Sequence, residues 1–96
     1  MSSMDFIVIA KGTTAEKAFW AAVRKAAHDH GHSGYTGTIA EKAEFVEIEL
    51  PVGEHAEGYA EELLAQDDPR INDKWGPAGC IKMSDNEFVF FGRASS

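Results

Sequence analysis

The sequence predicts a single α+β domain, and three observations carry that expectation. Apolar and polar residues alternate in short runs, most strictly where Val46, Ile48 and Leu50 interleave with Glu47 and Glu49. Two longer stretches instead repeat apolar residues at three- and four-residue spacing, the period of a helix lying on a sheet. Segments bearing glycine and proline separate the runs, and 96 residues make one domain, long enough to bury a single core but short enough to leave a second face uncovered unless copies associate.

The elements follow in order. Residues 4–10 are apolar at every position from Phe6 to Ile9, which predicts a central strand buried on both faces and ending at Gly12. Thr13 and Glu16 form a capping box that opens a helix. Its stripe is Ala15, Ala18, Phe19, Ala22, Val23 and Ala26, with Arg24, Lys25 and His28 near the negative end of its dipole and Gly31 as the stop. Residues 35–40 and 44–50 read as a hairpin, closed off by Pro51. Residues 54–66 form a second helix with Ala56, Tyr59, Ala60, Leu63 and Leu64 on one face. Gly58 weakens that helix by about 1 kcal/mol relative to alanine, and Asp67-Asp68-Pro69 ends it. Residues 78–83 and 87–91, joined by Ser84-Asp85-Asn86, form a terminal hairpin.

The order is therefore β-α-β-β-α-β-β. Its first six elements match a ferredoxin-like antiparallel sheet with two helices on one face, extended by a terminal strand. With both helices on one face, Ile7, Ile9 and some of Phe88, Phe90 and Phe91 are left on the other, which predicts a homo-oligomer.

Charge narrows the partners. The net charge is −7, but residues 41–68 hold ten acids against the single base Lys42, so that block alone carries −9. Phosphate binding needs a basic stripe that releases counterions, so nucleic acid is excluded as a partner. The acidic block reads either as a solvated face or as a mimic of a phosphate backbone that inhibits a partner protein by occupying its basic groove. No run is long enough to span a bilayer, and MSSMDFIVIAKG lacks a basic leader, which predicts a cytoplasmic protein without a membrane partner. One cysteine, Cys80, excludes an internal disulfide.

Candidate binding residues concentrate in segments 30–38 and 67–80. Trp75 or Tyr35 can stack on a flat ring, Arg70 and Lys74 can hold an anionic group, and Gly34, Thr36, Thr38 and Asn72 offer backbone, hydroxyl and amide contacts. The reading they support is capture of a small anionic, nucleotide-like ligand. The competing reading makes Trp75 a core plug and pairs Arg70 and Lys74 with Asp67, Asp68 or Asp73. His28, His30 and His32 are spaced by two across a helix end, where side chains diverge, so no metal is assigned. A third class, an enzyme using Cys80 with His32 or His55 as base, competes with Cys80 as a small buried side chain. No phosphate-loop, dinucleotide, Ser–His–Asp or HExxH pattern occurs, and no cofactor is expected.

The words GYTGTIAEK (residues 34–42) and DKWGPAGCIKM (residues 73–83), followed by FFGRASS, resemble a group of small uncharacterised phage, prophage and bacterial proteins. That resemblance spans most of the chain. It implies an accessory factor acting on host machinery or host signals, and it assigns no residue a role.

Overall fold

In the computed structural model, which describes residues 3–31 and 35–96, a four-stranded mixed sheet lies between two helices. The elements are β1 (Ser3–Lys11), α1 (Ala15–His30), a 3-10 turn (Ile39–Glu41), β2 (Phe45–Glu47), α2 (Ala56–Ala65), β3 (Ala78–Ser84) and β4 (Glu87–Ser95). The strands lie in the order β1-β4-β3-β2, with β2 parallel to β3 and both other pairs antiparallel.

The chain is α+β as expected, but the ferredoxin-like order is not what forms. Residues 35–40 are not a strand, so the expected five strands become four. Tyr35 and Gly37 take positive φ, and Thr36, Thr38 and Glu41 spend their side chains on nearby hydrogen bonds, which compete with an extended ladder. Without that strand β2 has no hairpin partner. It pairs with β3 instead, and α2 makes the crossover that parallel neighbours require.

The helices sit on opposite faces. On one face α1 packs Ala18, Phe19 and Ala22 against Phe6, Ala78, Cys80, Phe88 and Phe90. On the other, α2 packs Ala56, Ala60, Leu63 and Leu64 against Ile81, Val89 and Phe91. Alternate residues of β3 and β4 divide between the two clusters, as a pleat demands. Most of the face on which the homo-oligomer was expected is thus covered: Phe88, Phe90 and Phe91 are all buried and Ile7 is half-buried, whereas Ile9 at the sheet edge stays exposed.

Small residues in β3 make both layers close. Ala78 and Cys80 lie beneath the rings of Phe45 and Phe90, whose centroids come within 5.7 Å across the intervening strand. On the opposite face a Cβ at Gly79 would lie 2.5 Å from Cζ of Phe91, so only glycine lets that ring cross β3.

Local boundaries move slightly. The α1 cap is Thr14, not Thr13, and its side chain accepts from the Lys17 amide at 3.1 Å. Gly31 ends the helix at φ +87°, as its position suggested. The second helix begins at Ala56 after an exposed His55 that provides no side-chain cap. β1 is an edge strand, not a central one, and β4 runs on to Ser95 beside it.

Candidate functional site

The two glycine-rich segments do meet. Tyr35 and Trp75 stand edge to face, their ring centroids 6.3 Å apart at an interplanar angle of 81°. Both rings face solvent, Tyr35 at 52% and Trp75 at 64% relative exposure, so Trp75 is not a core plug. Lys74 Nζ lies 5.5 Å from the centroid of the Trp75 ring, within reach of a cation–π contact.

The supports of this corner are two consecutive residues. Glu41 closes the 3-10 turn, and its carboxylate accepts from the Thr36 amide at 3.1 Å and the Thr36 hydroxyl at 2.9 Å. Thr36 and Thr38 share a 2.8 Å hydroxyl contact, while Thr38 also caps the turn by accepting from the Ala40 amide. Gly37 donates to the Ser95 carbonyl at 2.7 Å, anchoring the segment to the end of β4. Tyr35 is thereby held at φ +56°, a conformation that costs a non-glycine residue about 1 kcal/mol.

Lys42, the next residue, is only 4% exposed. Its ammonium donates to the carbonyls of Asp73, Lys74 and Gly76 at 3.3, 3.2 and 2.9 Å. Three donors thus meet three acceptors in the loop that carries Trp75. Within that loop the Trp75 amide donates to Asp73 Oδ1 and the Gly76 amide to the Asp73 carbonyl, both at 2.9 Å. Burial pulls the Lys42 pKa below its ordinary value, and the nearby Asp73 carboxylate opposes that shift.

Burial also acts on Glu41, where it raises the pKa. Hydrogen bonds from the Thr36 and Tyr35 amides and the Thr36 hydroxyl outweigh it, and the carboxyl titrates below its ordinary range. Its clasp therefore contributes fully above the ordinary glutamate value and is lost as pH falls through the lower, folded one. Acid titration of the Trp20→Phe variant, which leaves Trp75 as the sole tryptophan, is expected to show an emission change in that window. In the Glu41→Gln protein the change should vanish; a change that persists there belongs to another group.

Arg70 and Asn72 do not join the corner. The Arg70 guanidinium makes a bidentate pair with Asp68, both bonds at 2.9 Å, and Asn72 donates to the Asp67 carbonyl. Ile71 between them is buried in the α2 cluster, which turns this part of the loop toward the opposite face of the sheet. The corner thus retains Tyr35, Thr36, Lys74 and Trp75. Thr38 also lines a groove of about 370 Å³ between α1 and β1, beside Phe6, Val8, Ala22 and Ile39. Gly34 lies outside the described residues.

Glu41 and Lys42 are not legible as site residues in the sequence, where both belong to the acidic block. The signal was Lys42 itself, the lone base among ten acids.

The remaining candidates fall elsewhere. Cys80 is 2% exposed, and burial, followed by the charge of Glu47, pushes its thiol up to about 12, which leaves no thiolate for nucleophilic attack near neutral pH. His28 and His30 are exposed at the end of α1, whereas His32 lies outside the described residues. Among the described residues no group of three His, Cys, Asp or Glu side chains converges to hold a metal. Glu54, Glu61 and Glu62 are exposed at and along α2, and no described helix is long and apolar enough to cross a membrane. Comparison with protein-family models, curated proteins and solved structures found no match to this chain.

Proposed function

We propose that this protein binds a small, flat, anionic molecule of nucleotide type at the corner made by Tyr35 and Trp75. The observation that carries the reading is the pair itself: two large exposed rings from distant segments meet at 6.3 Å. Exposed aromatic surface of this kind gains little for the fold, and here its backbone is braced from both sides by Glu41 and Lys42. A rigid aromatic wall loses little entropy when a ring stacks on it. A base that takes the face of Trp75 displaces the Lys74 ammonium toward the rim, where it meets a phosphate or carboxylate. The hydroxyls of Thr36 and Thr38 are committed to Glu41 and to each other, so they hold the Tyr35 segment in place and leave the ligand contacts to the two rings and Lys74.

The test begins with the purified protein incubated in bacterial extract, re-isolated and heated, with the released small molecules identified by mass spectrometry. A nucleobase-bearing anion is expected. Its titration into the Trp20→Phe protein should quench Trp75 emission. Trp75→Ala should weaken binding by about 1–3 kcal/mol, the usual worth of one base–aromatic stack. The urea midpoint should stay in place, because a ring 64% exposed contributes little to the core. Release of no such molecule, or unchanged affinity in Trp75→Ala, rejects the proposal.

A further inference from the structure

Among the described residues β1 ends the sheet with an unpaired edge that is long, regular and apolar at its centre. Its nine residues pair with β4 without interruption, from Ser3 opposite Ser95 to Lys11 opposite Glu87. Exposed edges are normally blunted by proline, a bulge or an inward charge, because their unpaired amides and carbonyls template another strand. From Phe6 to Ala10 this edge carries none of these. The opposite edge, β2, has only three residues.

Which backbone groups face outward follows from one bond. Gly12 N donates to Asn86 O at 3.0 Å, continuing the β1–β4 ladder by one pair. In an antiparallel ladder such pairs alternate, so even-numbered residues of β1 bond to β4 while Asp5, Ile7, Ile9 and Lys11 present their amides and carbonyls outward. Ile9 is 46% exposed, and open grooves of about 370 and 390 Å³ flank the strand on its α1 and α2 sides.

We infer that this edge pairs with the β1 edge of a second copy of the chain, antiparallel about a two-fold axis through Val8, to form a continuous eight-stranded sheet. A two-fold axis normal to the sheet keeps each face on its own side, so opposed residues must share parity. With the axis at Val8, Asp5 faces the partner's Lys11, Phe6 the partner's Ala10 and Ile7 the partner's Ile9. Opposite charges meet at both ends, a large side chain meets a small one, and the exposed Ile9 gains an apolar neighbour. Shifting the axis to Ile7 sets Asp5 against isoleucine, and shifting it to Ile9 sets Lys11 against isoleucine. Only the Val8 register matches charge with charge. The Asp5 carboxylate already accepts from Arg93 at 3.2 Å and is 55% exposed, which leaves a lone-pair direction for the partner's ammonium. Isologous pairing of this kind closes the assembly at two copies, since each has one such edge.

Sedimentation of the full chain at tens of micromolar is expected to give a dimer. Ile9→Lys should yield a monomer with an unchanged far-UV circular dichroism spectrum, because its side chain is largely outside the core. Lys11→Glu, at the exposed end of the strand, should raise the dimer dissociation constant at least tenfold if Ile9→Lys proves poorly folded. Val8→Cys should cross-link into a dimer under mild oxidation, since facing residues at the axis come closest there. A monomeric native protein overturns the proposal. So does a dimer that survives both charge changes, or one in which Val8→Cys fails to cross-link, because the contact would then lie elsewhere.

Discussion

Phe90→Ala is expected to destabilise the protein by about 3–5 kcal/mol, the range for removing a fully buried phenylalanine. Phe90 has no exposed surface, and its ring lies 5.6 Å from that of Phe19, 5.7 Å from that of Phe45 and 6.4 Å from that of Phe88. It therefore joins α1, β2 and β4 at one point. The cavity cannot collapse easily, because Ala78 and Cys80 beneath it are too small to fill the space. Urea unfolding should show the loss as a lower midpoint with an unchanged slope. A loss below about 1 kcal/mol would mean that the surrounding rings repack, contrary to the role assigned to this cluster.

Lys42→Met is expected to cost about 2–3 kcal/mol and to weaken the proposed ligand site together with the fold. Methionine preserves much of the volume but removes all three donors, leaving the carbonyls of Asp73, Lys74 and Gly76 without their shared ammonium. The loop bearing Trp75 then loses the clamp from below and keeps its internal turn and the ring contact with Tyr35. Trp75 emission should shift in the Trp20→Phe background, and ligand affinity should fall although residue 42 itself is buried beneath the loop. Trp75→Ala differs from it in one respect: it should lose affinity and keep its stability. If Lys42→Met leaves both the urea midpoint and the emission in place, the three-carbonyl clamp does not organise the loop.

Much of the local structure was legible because it depends on neighbours in sequence. The stripe from Ala15 to Ala26 and the stop at Gly31 determine α1, and the run from Ala56 to Leu64 determines α2. The turn at Asp85-Asn86 between two apolar strands determines the terminal hairpin. Tyr35 and Trp75 were legible as candidates because aromatic residues in glycine-rich connections have no helical or strand period to satisfy. Arg70 was misplaced for a local reason: Asp68, two residues back, offers a bidentate carboxylate that no spacing rule ranks against a ligand.

What only the tertiary structure decided was how these pieces meet. Periodicity shows which residues of a strand share a face, but it does not say which helix takes that face, so α1 and α2 could be sorted to opposite sides only by packing. The unbroken apolar run in β1 records helices above and below it, not strands on either side, and burial between layers is independent of position within the sheet. The parallel pairing of β2 with β3 likewise depends on Phe45 reaching Phe90 over Ala78 and Cys80, a contact between residues far apart in the chain. The pairing of Glu41 with the Tyr35 segment and of Lys42 with the Trp75 loop arises in the same way. A buried ammonium must find carbonyl oxygens wherever the fold places them, and here it found those of the loop that carries Trp75.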